Sequence, residues 1–261
     1  MKAHSPLSKK DESAARIVEQ IQSRLQFLQQ VGLDYLTPDR LMETLSSGEQ
    51  RRIALTAALG SSLVDMLYVL DEPSLGLHTK DTEKLLEAIL ELRDRGNTVI
   101  LVEHDEQLLR HADHIVEIGP GAGDEGGNIV FQGSVEELRN DAKSLTGKYL
   151  AAPHLAGTPV KQTADGRRQT AAEVTLVGCC GNNLKNITAT FPLGMLCVIT
   201  GVSGSGKSSL VRQTLYPALC QYFGKKCDIP GLPFEQVHVK GDINDVVLID
   251  QTPMGGSSSS N

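Results

Sequence analysis

Residues 196–209 read Leu-Cys-Val-Ile-Thr-Gly-Val-Ser-Gly-Ser-Gly-Lys-Ser-Ser: an apolar run, a turn of glycine and serine, then a lysine followed by hydroxyls. Leu196–Thr200 has the unbroken apolar character of a strand buried on both faces. The turn matches the P-loop pattern, in which glycines let successive backbone N–H groups close around a phosphate chain. Its flanks agree, since a helical pattern follows from Ser209 to Leu219, and they argue against a chance Gly/Ser turn. Gly201, Val202, Ser203, Gly204, Ser205, Gly206, Lys207, Ser208 and Ser209 are therefore candidate ATP-binding residues. Lys207 would neutralise the β- and γ-phosphates, and the Ser208 hydroxyl would ligate Mg²⁺.

Working outward, Met66–Leu70 is a second continuous apolar run, and it ends in Asp71-Glu72-Pro73. A strand of this kind places one carboxylate, Asp71, near Mg²⁺ and the next, Glu72, near the attacking water as general base. Alone it would be equally well an acidic strand corner. Leu45-Ser46-Ser47-Gly48-Glu49-Gln50 stands just upstream, with Ser46 25 residues before Asp71. By itself this is a capped helix start, with serine at the cap and an acidic residue in the first turn. Paired with the carboxylate strand, it fits the signature motif of an ATP-binding cassette, with Ser46, Gly48 and Glu49 as nucleotide-facing residues. Thr98–Val102 is a further buried strand leading into Glu103-His104-Asp105, which puts His104 where such cassettes carry a γ-phosphate-sensing histidine. Ser74–His78 lies between these motifs, in the D-loop position.

Helical spacing over Ala14–Val31, Gln50–Leu59 and Asp81–Arg93 alternates with the strands, and His114–Ile118 is a third strand before a glycine-rich turn. This rhythm predicts an open parallel α/β sheet whose ligands gather at the carboxyl ends of its strands. Residues 1–13 read as a polar tail, 14–150 as one unit, 151–172 as a linker of small and polar residues, and 173–261 as a second unit opening at Val174–Val177. The final GGSSSSN reads as a loop cut before structure resumes.

Composition sets the bounds. The 261 residues are 40% hydrophobic with no tryptophan, so aliphatic side chains must supply the core. The formal charge of −7 opposes a dedicated nucleic-acid-coating surface, though not a local DNA-contacting patch. No stretch is long and apolar enough to span a membrane, and the N-terminus lacks a secretory core. The five cysteines, Cys179, Cys180, Cys197, Cys220 and Cys227, show no paired spacing, which favours incidental thiols in a reducing cytoplasm over disulfides or a zinc site.

The motif order is unusual, because a cassette begins with its P-loop and here the P-loop comes last. That order, with the words RLQFLQQVGLDYLTPDR, LYVLDEPSLGLH, VEHDEQLLRHADHIVEIGPGAGDEGG, GNNLKNI, ITGVSGSGKS and IDQTPMGG, resembles the UvrA family of ABC-type ATPases, which carry two tandem cassettes. The resemblance covers about residues 15–150 and 173–261. ADHIVEIGPGAGDEGG discriminates best, because transporter cassettes lack it. What the resemblance implies is a P-loop ABC-type α/β fold in two partial cassettes with parallel sheets: the C-terminal half of a first and the N-terminal half of a second.

It further implies that Glu72, His104 and Asp71 are catalytic, that Gln251 is the Q-loop glutamine, and that Ser46 and Gly48 close on ATP at an opposing P-loop, forming one composite site with Gly204–Ser208. Through the parent it implies damaged double-stranded DNA and UvrB as partners, a homodimer, and work in nucleotide excision repair. Two departures stand out: Ser47 replaces a usual glycine, and Gly255–Ser260 lack the arginines usual after the Q-loop. Three other readings remain: a circularly permuted single cassette, a non-enzymatic fragment or interaction module, and, least favoured, a transporter cassette. Isolated, the chain is expected to bind nucleotide weakly.

Overall fold

The computed structural model describes residues 9–61, 63–151 and 172–249. Thus Gln251 and almost the whole of the 151–172 linker lie outside the described residues. Helix α1 (Lys9–Gln30) begins inside the stretch read as a polar tail. It is followed by α2 (Ser47–Leu59), β1 (Met66–Asp71), α3 (Thr79–Asp94), β2 (Thr98–Val102), α4 (Glu106–Arg110), β3 (His114–Gly119), β4 (Asn128–Gly133), α5 (Val135–Asn140) and α6 (Leu145–Leu150). The second half supplies β5 (Glu173–Gly181), β6 (Leu184–Pro192), β7 (Leu196–Thr200), α7 (Lys207–Leu210), α8 (Tyr216–Tyr222), β8 (Gln236–Lys240) and β9 (Asp245–Ile249).

The α/β class and its parallel sheet agree with the sequence. One point differs: the strands of the two halves do not occupy separate sheets. They form a single six-stranded sheet in the order β4-β3-β7-β2-β1-β9, parallel except for the β3–β4 pair. The seam is the register Val99↔Leu196 to Val102↔Ile199, with β7 also pairing with β3 on its other side. The physical reason lies in the strands: all five residues of β2 and of β7 are buried. Each therefore needs cover on both faces and ladder partners on both edges.

Alternate side chains serve the two faces. Tyr68, Leu70, Val99, Leu101 and Val198 join the helical layer of α1–α6, whereas Leu67, Val69, Ile100, Val102, Cys197 and Ile199 join a core beneath a second, antiparallel sheet, β6-β5-β8. The helix after the P-loop lies in that second layer through Leu210, Val211, Leu215 and Leu219. Between α7 and α8 this helix loosens to a π turn, Val211–Leu215, just before Pro217. Proline has no N–H for the carbonyl four residues back, and the freed Gln213 carbonyl accepts instead from the Leu232 N–H at 2.7 Å.

Side-chain ties also cross the halves, and one of them centres on Asp113. The Asp113 carboxylate accepts from Arg93 Nη1 at 3.1 and 3.2 Å and from the Leu196 N–H at 2.8 Å, and the Arg93 side chain is only 9% exposed. Asp113→Ala leaves that guanidinium short of a partner and the Leu196 amide unmet. It is expected to lower unfolding stability by about 2–4 kcal/mol in urea titration, and an unchanged midpoint would refute this account of the seam.

Candidate functional site

All the parallel strands end at one edge, so β7, β2 and β1 deliver Gly201, Glu103-His104 and Asp71-Glu72 side by side. Strand β2 stands between the P-loop strand and the carboxylate strand, about 4.8 Å from each.

Gly201 leaves β7 with φ +135°, and a Cβ there would lie 2.0 Å from the Ile118 carbonyl oxygen, so the turn requires glycine. Gly206 is left-handed at φ +113° and launches the helix that begins at Lys207. Lys207 Nζ donates to the carbonyls of Gly201 at 2.9 Å and Val202 at 3.1 Å, which folds the ammonium back over the loop. Burial holds the Lys207 pKa below the usual lysine value, against the opposing pull of the Glu72 and Asp71 carboxylates. The P-loop of the second half and the carboxylates of the first leave the same edge of one sheet with a single strand between them. Ser203 and Ser208 are exposed, Ser205 is fully buried, and the Ser209 hydroxyl accepts from Asn182 Nδ2 at 3.0 Å.

Asp71 is 6% exposed at the end of β1. Glu72 adopts φ +48°, a left-handed conformation rare outside glycine, and its N–H donates to the Val102 carbonyl at 3.0 Å. His104 is exposed and faces a cleft of about 230 Å³ whose walls include Glu117, Thr200, Gly201 and Val202. The residue that sequence reasoning passed over is its neighbour Glu103. It is fully buried, and its carboxylate accepts from the Ser74 N–H at 2.8 Å and the His104 N–H at 3.1 Å. Glu103 thus fastens the loop after β1 to the histidine. An acidic residue closing an otherwise apolar strand was the one signal available.

Ser46, Gly48 and Glu49 form the capped start of α2. The Glu49 N–H donates to Ser46 Oγ at 3.3 Å, and the Ser46 N–H donates to Glu49 Oε2 at 2.7 Å. Tyr35 Oη donates to Glu49 Oε1 at 2.6 Å, and this bond, helped by Ser46 and the charge of Arg40, holds the Glu49 carboxyl down to about 2. A methyl group on Gly48 would just touch the Leu75 carbonyl, 3.4 Å away. The signature turn therefore adjoins the D-loop, in the layer opposite the P-loop helix.

Among the described residues no group of three or more His, Cys, Asp and Glu could hold a metal. Mg²⁺ needs no such cage: it is commonly held by one or two protein oxygens with substrate phosphates and water. The Asp71 carboxylate and the exposed Ser208 hydroxyl are oxygen donors of the type such an ion takes.

A family model described as "AAA domain, putative AbiEii toxin, Type IV TA system" matches residues 3–110. The chain is 50% identical over 244 residues to the UvrABC system protein A of Synechocystis, an alignment covering 94% of this chain and 25% of that protein. The protein of the same name from Clostridium perfringens is 47% identical over 248 residues, covering 95% and 26%. In three dimensions the chain is similar to UvrA2 from Deinococcus radiodurans, with TM-score 0.51 and 40% identity over 84% of this chain and 26% of that one. The chain thus spans about a quarter of the length of these relatives. Collinear matches over nearly the whole chain make the P-loop-last order the relatives' own, so neither a permuted nor a transporter cassette is favoured.

Two outcomes follow from this geometry. Glu49 stabilises the fold in full above its ordinary value of 4.5, and that contribution drains away as pH falls toward 2. Tyr35→Phe returns the carboxyl toward its ordinary value, so the stability gap between the two proteins in urea titrations should shrink as pH drops from 6 to 2.5. Glu103→Gln turns an amide donor against a backbone N–H. A loss of about 1–3 kcal/mol is expected by chemical denaturation, and an unaltered stability would show that the carboxylate does not fasten these loops.

Proposed function

We propose, since the chain belongs to the UvrA family, that it supplies nucleotide-handling machinery to a UvrA-type ATPase of nucleotide excision repair. The observation that carries this reading is the delivery of the P-loop by β7 and of Asp71-Glu72 by β1 to the same edge of one sheet, with His104 just past the end of the strand between them. Gly201–Ser209 hold the phosphates of ATP, with Lys207 countering their charge. Ser208 and Asp71 hold Mg²⁺, which when bound would neutralise charge on the phosphates. Glu72 takes the proton of the attacking water, and His104 faces the γ-phosphate. Gln251 acts as the Q-loop glutamine.

Ser46, Gly48 and Glu49 lie in the other layer of this chain. They therefore serve a P-loop presented by an opposing cassette, within the longer protein or in a second copy. Through that longer protein we place damaged double-stranded DNA and UvrB among the partners, with a homodimer as the working assembly and the cytoplasm as its location. No helix among the described residues is long and apolar enough to cross a membrane.

Titration with a fluorescent ATP analogue, beside steady-state hydrolysis with Mg²⁺, separates the roles. Lys207→Ala should weaken nucleotide binding at least ~10-fold, whereas Glu72→Gln should keep binding and lose turnover by ~10²–10⁴-fold, the range of general-base catalysis. Binding indifferent to Lys207→Ala would remove the P-loop from the proposal.

A further inference from the structure

The turn Gly119–Gly127, the most distinctive phrase of the sequence, plays no part in the chemistry above, yet it is fastened to the back of the P-loop. The Gly123 N–H donates to the Gly204 carbonyl at 3.1 Å, and the Gly127 N–H donates to the Ser205 carbonyl at 2.8 Å. Asn183, from the turn between β5 and β6, bridges both strips of backbone: its Nδ2 donates to the Gly204 carbonyl at 3.0 Å and the Gly123 carbonyl at 3.3 Å. The Lys185 N–H closes the arrangement onto the Gly127 carbonyl at 2.9 Å.

Side chains have no room in this contact. A Cβ on Gly126 would lie 2.9 Å from the Ser205 carbonyl oxygen. One on Gly127, whose φ is +75°, would lie 1.5 Å from that of Asn183. Gly204, at φ +75°, faces Ala122 with its bare Cα, where a Cβ would stand 3.3 Å from the alanine methyl. Three segments distant in sequence therefore meet backbone to backbone, and only glycine permits it at Gly126 and Gly127.

We propose that this turn and Asn183 hold the P-loop in its phosphate-receiving shape, and so set the affinity of the chain for the phosphate part of its nucleotide. The inference rests on reading Gly201–Ser208 as the nucleotide site. Its physical basis is the planarity of the peptide. In a trans peptide C=O and N–H point opposite ways. Holding the Ser205 carbonyl outward against Gly127 aims the Gly206 N–H toward the side where phosphate is to bind. Holding the Gly204 carbonyl outward keeps a partial negative charge off the phosphate oxygens. A glycine-rich loop left free would lose much conformational entropy on binding, whereas an anchored loop has lost it already. These residues touch no ligand atom; they are positioning residues.

The test measures binding of ATP and of inorganic pyrophosphate to the whole chain, as purified and as Asn183→Ala and Gly127→Ala, with melting temperatures taken without nucleotide. Removing one Asn183 donor should weaken both ligands by the same ~3–10-fold, the worth of a hydrogen bond. Melting of nucleotide-free Asn183→Ala should stay within about 3 °C. Gly127→Ala, which must spread the two backbones, should weaken both further; if it does not fold, Asn183→Ala decides alone. Unchanged affinity in Asn183→Ala overturns the proposal, as does a loss for ATP with none for pyrophosphate. If the unaltered chain binds neither ligand, the nucleotide-site reading itself has failed and the inference falls with it.

Discussion

The parallel pairing of Val99–Val102 with Leu196–Ile199 is the constraint on which the rest of the molecule depends. It joins the two halves of the chain and stands β7 between β2 and β3. Ile100 and Cys197 then face the antiparallel layer while Leu101 and Val198 face the helices. A slip of one residue would turn every one of these side chains to the wrong core. It would also carry Gly201 away from the Ile118 carbonyl and the Glu103 N–H away from the Ile199 carbonyl, where it donates at 3.1 Å. Register in the buried sheet therefore dictates geometry at its functional edge.

At that edge two kinds of interaction divide the work. The P-loop is shaped by backbone meeting backbone, which is why glycines recur on both sides of the contact and why a methyl group at Gly201 or Gly127 has no place to go. The strand ends are shaped by buried carboxylates. Glu103 and Glu117 each accept backbone N–H groups, Glu117 from Thr146 at 3.0 Å together with the Ser144 and Thr146 hydroxyls. A carboxylate removed from water is costly unless its lone pairs are met. Each such group therefore fixes the loop whose amides satisfy it.

How much of this could be read from the residues follows from the range of the interactions involved. Local patterns were legible: β2 and β7 have the expected bounds, Ser46 caps α2 with Glu49 in its first turn, and the P-loop joins a strand to a helix as its spacing requires. Strands with mixed patterns were not. β4 and β8 are only partly buried, and their side chains lack the long continuous apolar run that marked β1, β2 and β7. The sharing of one sheet by both halves was hidden as well, because strand pairing is set by which edges meet in space and leaves no periodic trace. Glu103 escaped for a related reason: its partners, Ser74 and His104, are backbone amides, which every sequence contains.

The loop after β1 shows how these ties combine. The Ser74 N–H is held by Glu103, next to the histidine, while the Leu75 carbonyl lies against Gly48 at the start of the signature helix. Two adjacent residues are thus engaged from opposite directions, one by the strand beside the P-loop and the other by the helical layer. A packed interior accommodates displacement by switching between discrete arrangements rather than by stretching. A shift of α2 relative to the sheet must therefore either carry Leu75 and Ser74 with it, and so pull on Glu103 beside His104, or break the contact at Gly48. A hydrogen bond to a fully buried carboxylate costs more to disturb than a van der Waals touch at Gly48, so the loop stays with Glu103 and the second course is the less costly.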